Sequence, residues 1–442
     1  MKENFGSKIG VILATAGSAV GLGNIWRFPT TAGENGGAAF ILIYIVFTLV
    51  LGVTGMVSEF IVGRHGRSNP VSAYMKAGGK PFALVGLMGL FSGSIILGFY
   101  SVVAGWCMYY LYAAIGDGVL GSKQVVSGHF ADFSTGAVTP VLMSVFFVLL
   151  THAIIVRGVR GGIEKASKFM MPVLFLLLLV LIVVSCSLPG AWRGVEFLLY
   201  PDFSKITAKV VFEALGQAFF SISLGTACLC TYAAYFNKEQ NLLGSSVQII
   251  GIDMLVAVLA GLMIFPAAFS VGVEPDAGPS LIFITLPSVF EQAFPHSVAY
   301  VVSIVFFALL SLAALTSTIS LHEIGTSVLS EEFHMTRKKS ATLVTLFCSV
   351  VGALCALSVG AVPMGVMGEA LFDNLDTLTS DIMLPLGSLF TTLLVGWFMP
   401  RKAVLRQLTS GGRYRLPLWC IHLFFFLVRF VCPVCILLIL WS

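Results

Sequence analysis

Apolar residues run in long blocks along this chain rather than in alternation, and about eleven of the blocks could cross a bilayer as helices. They fall near residues 9–33, 38–63, 82–116, 138–156, 165–187, 211–236, 244–272, 296–331, 340–358, 369–398 and 416–441. Two blocks are interrupted at their centres. The first reads Ala16-Gly17-Ser18-Ala19-Val20-Gly21-Leu22-Gly23-Asn24 and continues Ile25-Trp26-Arg27-Phe28-Pro29. The sixth reads Phe219-Phe220-Ser221-Ile222-Ser223-Leu224-Gly225-Thr226-Ala227-Cys228. Glycine, asparagine and clustered hydroxyls weaken a helix where lipid offers no replacement hydrogen bonds. Such backbone survives only where it is buried in protein or lines a cavity. A cavity at membrane depth, furnished with free carbonyls and helix ends, suits ions and small charged solutes. The pattern predicts an all-α polytopic membrane protein and points to transport.

Composition agrees. Of the 442 residues 57% are hydrophobic and 10% are charged, against about 25% charged in a soluble domain. Mean hydropathy is +0.97, so residues 1–442 read as a single transmembrane unit. The net charge of +4 matters less than its placement. With eleven spans, 19 of the 25 Lys and Arg fall in connections on one side, in short clusters such as Arg64/Arg67, Arg157/Arg160, Arg337-Lys338-Lys339 and Arg401-Lys402. The excess of positive charge on cytoplasmic loops places the N-terminus inside and the C-terminus outside. Each cluster is short and borders a span, which argues against a nucleic-acid partner. The first block lacks a signal-peptide cleavage pattern and is expected to be a span. The nine cysteines lie mostly within spans, so no disulfide framework is indicated, and Cys432-Pro433-Val434-Cys435 has redox-motif spacing without its context. No Asn-x-Ser/Thr acceptor occurs, which fits the inner (plasma) membrane of a prokaryote.

The first-block string from Gly17 to Pro29, followed by Glu34-Asn35-Gly36-Gly37, resembles the first-helix signature of the neurotransmitter:sodium symporter family. The resemblance continues in Met56-Val57-Ser58-Glu59-Phe60, Gly63-Arg64, Gly216 to Gly225 and Leu315-Thr316-Ser317, and so covers nearly the whole chain. It implies the LeuT-type fold. Two inverted five-helix repeats (about 9–187 and 211–398) would be followed by a peripheral eleventh helix (about 416–441), with helices 1 and 6 unwound at mid-membrane. It also implies sodium-coupled symport of an amino acid by alternating access, and no enzymatic activity.

Site residues follow from the same resemblance. One sodium would be held by the Ala19 carbonyl, Asn24, Ser221, Asp253 and the carboxylate of the substrate itself. A second would use the carbonyls of Gly17, Val20 and Ala313 with the hydroxyls of Thr316 and Ser317. Asp253 stands where animal relatives carry asparagine beside a chloride, which implies that chloride is not required and opens the way to proton countertransport. The backbone N–H groups of Leu22 and Gly23 and the hydroxyl of Tyr100 would receive the substrate carboxylate. Carbonyls of Ala19, Phe220 and Ser223 would take its ammonium. Ser18 lines the pocket, and no aspartate stands near it, so a zwitterion suits the site better than a bare amine. Ile96, Phe220, Thr226, Ser317 and Leu321 would form the wall. Thr226 replaces a bulkier residue of an aliphatic-selective relative, which favours a large apolar or aromatic side chain, with another small amino acid or an amine as the alternative.

The resemblance further implies an outer gate of Arg27 and Asp376 with Phe220 as its lid. An inner latch would tie Lys2 and Phe5 to Glu331 near Tyr235. Glu59 would bind unwound backbone from behind. Gly162 and Pro172 bracket a stretch of span 5 that either unwinds to admit water or is an ordinary helix start with its proline in the second turn. Two other function classes fit less well. His322-Glu323 lacks the second histidine of a zinc-hydrolase motif, since position 326 is Thr. A channel has less use for a broken-helix site than an occluding carrier does.

Overall fold

A segment immersed in lipid must close its own backbone hydrogen bonds, and the apolar blocks do so as helices. The structure, a computed structural model, describes residues 4–272, 280–362, 364–366 and 368–441, and no β-strand occurs among them. Lys2 of the expected inner latch lies outside the described residues. Among the described residues, eight helices are continuous and apolar enough to cross a membrane. They are spans 2 (Ala38–Gly66), 3 (Lys80–Ile115), 5 (Val159–Cys186), 7 (Leu242–Ser270), 8 (His296–Glu332), 9 (Arg337–Ser358), 10 (Leu371–Phe398) and 11 (Leu418–Trp441). Span 4 is Thr139–Ile155, preceded at 74° by the helix Lys123–Ser134. Span 1 is broken into Lys8–Ala19 and Gly23–Glu34, which meet at 56°. Span 6 comprises Ala208–Ser221 and the six-residue Cys228–Ala233, each too short to cross alone.

The break in span 1 spans Val20 to Leu22. Val20 turns extended, with φ −71° and ψ 105°. The N–H of Gly21 donates to Asn24 Oδ1 at 3.1 Å, and that of Leu22 donates to Tyr100 Oη at 3.1 Å. Two side chains thus receive donors that a continuous helix would have satisfied itself.

The break in span 6 is sharper. Ser223 (φ 55°), Gly225 (φ 84°) and Ala227 (φ 60°) all sit in the left-handed region, costly for the two residues that carry a Cβ. Gly225 has no alternative residue here, because a Cβ would come within 2.1 Å of the Leu384 carbonyl. The conformation is held from behind by Glu59 of span 2. Its buried carboxylate accepts from Gly225 N at 2.7 Å and from Cys230 N at 3.3 Å. Thr226 bridges the same turn, donating to the Ser223 carbonyl at 2.8 Å and accepting from Cys228 N at 3.2 Å.

Span 5 differs from both readings of its sequence. It winds without a break from Val159, through a π-helical turn that contains Gly162, and Pro172 lies in the helix interior rather than in a second turn. Close approach explains the glycine: a Cβ on Gly162 would lie 2.1 Å from the Ile154 carbonyl. Short helices join the spans, among them Pro70–Gly78, Trp192–Leu199, Leu281–Ala293 and Arg401–Leu408. They are too short or too polar to register as crossings in the hydropathy pattern.

Removing the Glu59 carboxylate would strand two buried N–H groups, at about 1–3 kcal/mol each. Glu59→Ala should lower the thermal unfolding midpoint of the purified protein in detergent clearly more than Glu59→Gln, which keeps one acceptor; equal midpoints would show that the carboxylate does not hold the break.

Candidate functional site

The two breaks face one another across a small cavity of about 70 Å³. Of the predicted substrate residues, Ser18, Ala19, Gly23, Ile96, Tyr100, Phe220, Ser221, Ser223, Thr226, Ser317 and Leu321 line it. Leu22 does not line it; its N–H is spent on Tyr100. Gly21, Cys228, Ser320 and Leu384 also line the cavity and were not anticipated. Cys228 and Ser320 follow the recognised strings by only a few residues, but Leu384 comes from span 10, which carried no local signal. Small and hydroxyl-bearing residues of spans 1, 6 and 8 crowd one part of the wall, while Ile96, Phe220, Leu321 and Leu384 supply apolar surface.

Beside the cavity, fully buried Asn24 and Asp253 meet. Asn24 Nδ2 donates to Asp253 Oδ1 at 2.7 Å, to the Asp253 carbonyl at 3.2 Å and to Ser221 Oγ at 3.3 Å. Ser221 Oγ donates to Asp253 Oδ2 at 2.7 Å. Tyr44, absent from the sequence-based set, places its hydroxyl 3.2 Å from Ser221 Oγ and 3.4 Å from Asp253 Oδ2. An ionised aspartate in lipid is expensive unless every lone pair is engaged. Here one amide and two hydroxyls engage it. Nearby in span 6, the amide of Gln217 is buried with neither its oxygen nor its nitrogen partnered.

A second cluster of oxygens joins span 1 to span 8. Thr316 Oγ1 donates to the carbonyls of Ala313 at 2.8 Å and Val20 at 3.1 Å, and Ser317 Oγ lies 3.4 Å from the Val20 carbonyl. Gly17 faces Thr316, whose Cβ would lie 3.3 Å from a Cβ at position 17. Carbonyls and hydroxyls without a thiolate or imidazole suit a hard monovalent cation.

Both ends of this region are covered by aromatic side chains. Phe220 lies under Arg27, whose guanidinium carbon is 3.9 Å from the ring centre, a cation–π contact. The expected ion pair between Arg27 and Asp376 is not formed among the described residues. Arg27 has no ion pair within 4.0 Å among the described residues; it shares a small cavity with Ser380 and Asp381, while Asp376 accepts from Ser380 Oγ at 2.7 Å. Span 10 contains a π-helical turn, Leu378–Met383, in which residues five apart stack on one face. Asp381 lies within that turn, five residues after Asp376, and lines a small cavity with Arg27.

At the other end Phe5 is buried among the rings of Tyr232, Tyr235 and Phe236, and its N–H donates to the Tyr235 carbonyl at 3.2 Å. The Tyr235 hydroxyl donates to Glu323 at 2.7 Å, and Glu323 is gripped by both Nη atoms of Arg337, at 3.0 and 2.6 Å. Glu331 accepts from the backbone N of Asn69 at 2.6 Å. His322 is bonded to Thr326 and Thr345, so the His-Glu pair serves structure. Glu164 in the π-turn of span 5 receives Gly6 N at 2.6 Å, Ser7 Oγ at 2.8 Å and Lys168 Nζ at 2.6 Å, and so clamps the start of span 1. Sequence reasoning missed Glu164 and the Glu323–Arg337 pair, whose partners are remote in the chain.

The model of the sodium:neurotransmitter symporter family matches residues 2–120 and 129–442. The chain belongs to this family. It is 38% identical to the sodium-dependent transporter YhdH of Bacillus subtilis over 98% of this chain and 96% of that one. It is 33% identical to a sodium-dependent transporter of Haemophilus influenzae over 100% of this chain and 98% of the relative. Among solved structures, that of MhsT in complex with L-phenylalanine superposes with a TM-score of 0.90 at 36% identity, covering 100% of this chain and 99% of the other. The protein is thus a multi-pass, sodium-dependent transporter with the LeuT fold, in a family of transporters rather than enzymes.

The placement of Arg27 makes a prediction about the outer cover. Asp381→Asn should speed release of bound substrate several-fold and Asp376→Asn should leave it near the wild-type rate, measured as radiolabel dissociation in sodium; the opposite order would restore Asp376 as the partner.

Proposed function

We propose that this transporter moves a zwitterionic amino acid with a large apolar or aromatic side chain, together with two sodium ions, by alternating access. The observation that carries this reading is the meeting of both backbone breaks at one cavity, with a tyrosine hydroxyl at the first break and oxygen clusters on two sides. The Tyr100 hydroxyl already accepts from Leu22 N and can donate its own hydrogen to a substrate carboxylate, beside the free N–H of Gly23. Carbonyls of Ala19, Phe220 and Ser223 receive the ammonium. With no carboxylate in the first break, a zwitterion is balanced where a bare amine would not be.

The first sodium lies among the Ala19 carbonyl, Asn24, Ser221, Asp253 and the substrate carboxylate. Asn24 Oδ1 holds Gly21 N and keeps a second lone pair for the ion. Because the substrate is itself a ligand, sodium and substrate raise one another's affinity by the same factor. The second sodium takes the carbonyls of Gly17, Val20 and Ala313 with Thr316 and Ser317, whose hydroxyl hydrogens rotate away from Val20. It fastens the inner half of span 1 to span 8. The Asp253 carboxylate supplies fixed negative charge beside Tyr44 and Ser221, which favours independence from chloride. Arg27, Phe220 and Asp381 form the outer gate, and the seat of Phe5 with Tyr235 and Glu331 the inner one. With the basic face cytoplasmic, the N-terminus is inside and the C-terminus outside. Each inward sodium then contributes ~2.3 kcal/mol per 100 mV in addition to its concentration gradient.

The preference for a large side chain is supported by Thr226, whose short side chain is tied back to Ser223 and leaves room near Ile96 and Leu321, and by the phenylalanine bound to the similar MhsT. Purified protein in sealed vesicles should accumulate radiolabelled phenylalanine or leucine under an inward sodium gradient and not under potassium. Uptake that ignores sodium, or a panel of the twenty amino acids in which none is taken up, would overturn the proposal. Asn24→Ala should abolish sodium-dependent binding. Thr226→Phe should shift preference toward smaller side chains by roughly ten-fold or more, since ~1–3 kcal/mol accompanies each methylene of misfit; an unchanged ranking of substrates would remove Thr226 from the wall.

A further inference from the structure

Span 11 carries an arginine within its apolar sequence, Arg429, eleven residues after its first residue Leu418. At that depth a charge normally has a carboxylate partner or marks a functional site. Arg429 has no carboxylate within 4.0 Å among the described residues. Its Nε donates to the Gly396 carbonyl at 2.7 Å, and its two Nη nitrogens find no acceptor there. Arg401, exposed at the start of Arg401–Leu408, is likewise without an acceptor. The two guanidinium carbons each lie 5.2 Å from the centre of the same ring, that of Phe425. By contrast, Arg64 is bound by Gln240, Gln407 and Ser410, and Arg337 by Glu323 and the Ile155 carbonyl.

The surroundings of the pair belong to the membrane surface. Gly396 is two residues from the end of span 10, so the pair stands where that helix leaves the apolar layer. Trp397 donates its indole N–H to the Arg429 carbonyl at 3.2 Å and is half exposed, as is Phe430 stacked edge-on against it. Exposed tryptophan at a span end marks headgroup depth. We propose that the notch between the end of span 10 and the middle of span 11 binds the phosphate of an anionic phospholipid. The Nη groups of Arg429 grip the phosphate in the fork geometry that guanidinium favours. Arg401 swings onto it from the aqueous side, and Phe425 with the exposed apolar face of span 11 receives the acyl chains. The phosphate supplies the acceptors that the protein withholds. It also pins span 11 to span 10, from which the site cavity draws Leu384.

The test is lipid retention. Protein purified from mixed bilayers of phosphatidylglycerol and phosphatidylcholine with matched acyl chains is analysed by native mass spectrometry. Each arginine near a charged surface contributes enough to make the wild type favour phosphatidylglycerol by about ten-fold or more. The double variant Arg401→Gln/Arg429→Gln should lose the preference, and Arg401→Gln alone, at an exposed position that does not endanger folding, should weaken it several-fold. Monodispersity and thermal midpoint show that each variant is folded. Equal retention of the two lipids by the wild type, an undiminished preference in the double variant, or displacement of the lipid by millimolar inorganic phosphate would each overturn the proposal.

Discussion

Every backbone donor at membrane depth needs an acceptor, and this constraint governs the two breaks on which the molecule is built. A helix that stops in lipid strands N–H groups and carbonyls at several kcal/mol each. In this chain the stranded donors are taken up by three side chains from elsewhere: Asn24 for Gly21, Tyr100 for Leu22, and Glu59 for Gly225 and Cys230. At the breaks the carbonyls of Val20, Gly21, Phe220 and Ser223 each accept from a donor of the protein: Thr316, Asn24 N, Ser223 N and Thr226. A carbonyl that has accepted one hydrogen bond keeps a second lone pair, and that remaining capacity is what a hard cation can use. The requirement that makes the fold stable is also the origin of its chemistry.

The two ends of the cavity are closed by different physics. At one end Arg27 rests on Phe220 with Asp381 nearby, a partly exposed arrangement in which each polar contact contributes little, roughly 0–1 kcal/mol. On the opposite side Phe5 is fully buried among three aromatic rings, and burial of such a side chain stabilises by about 1.5–3 kcal/mol. Glu164 adds a clamp on the adjoining backbone. Opening the Phe5 end means extracting an aromatic plug and releasing a carboxylate in the π-turn of span 5, whereas opening the Arg27 end means parting a stacked cation. The oxygen cluster at Thr316 and Ser317 joins span 1 to span 8, and the Asn24–Ser221–Asp253 cluster joins it to spans 6 and 7, so both closures are linked through span 1.

Much was legible in the sequence because membrane physics writes it locally. Eleven apolar blocks gave the approximate bounds of the helices, eight of which are continuous and apolar enough to cross a membrane among the described residues, and mid-span glycines located both breaks. The recognised strings then nominated residues that the structure brings together around one cavity. What they could not supply were partners distant in the chain or displaced by irregular winding. Asp376 and Asp381 stand five residues apart around a π-helical turn that nothing in the sequence announces. Glu164 and Tyr44 act on residues 158 and 177 positions away, Arg337 meets Glu323 across the turn between spans 8 and 9, and the short connecting helices lack the length and hydropathy that made the spans visible.

The division has a physical cause. Hydropathy, backbone propensity and charge bias are properties of consecutive residues, so sequence alone determined that this chain crosses the membrane repeatedly and unravels twice while doing so. Which carboxylate answers which cation, which hydroxyl completes which oxygen cluster, and where an arginine is left without a partner depend on helices meeting side by side. Those distances are set by the packing of glycine and small residues between spans, and only the tertiary structure decided them.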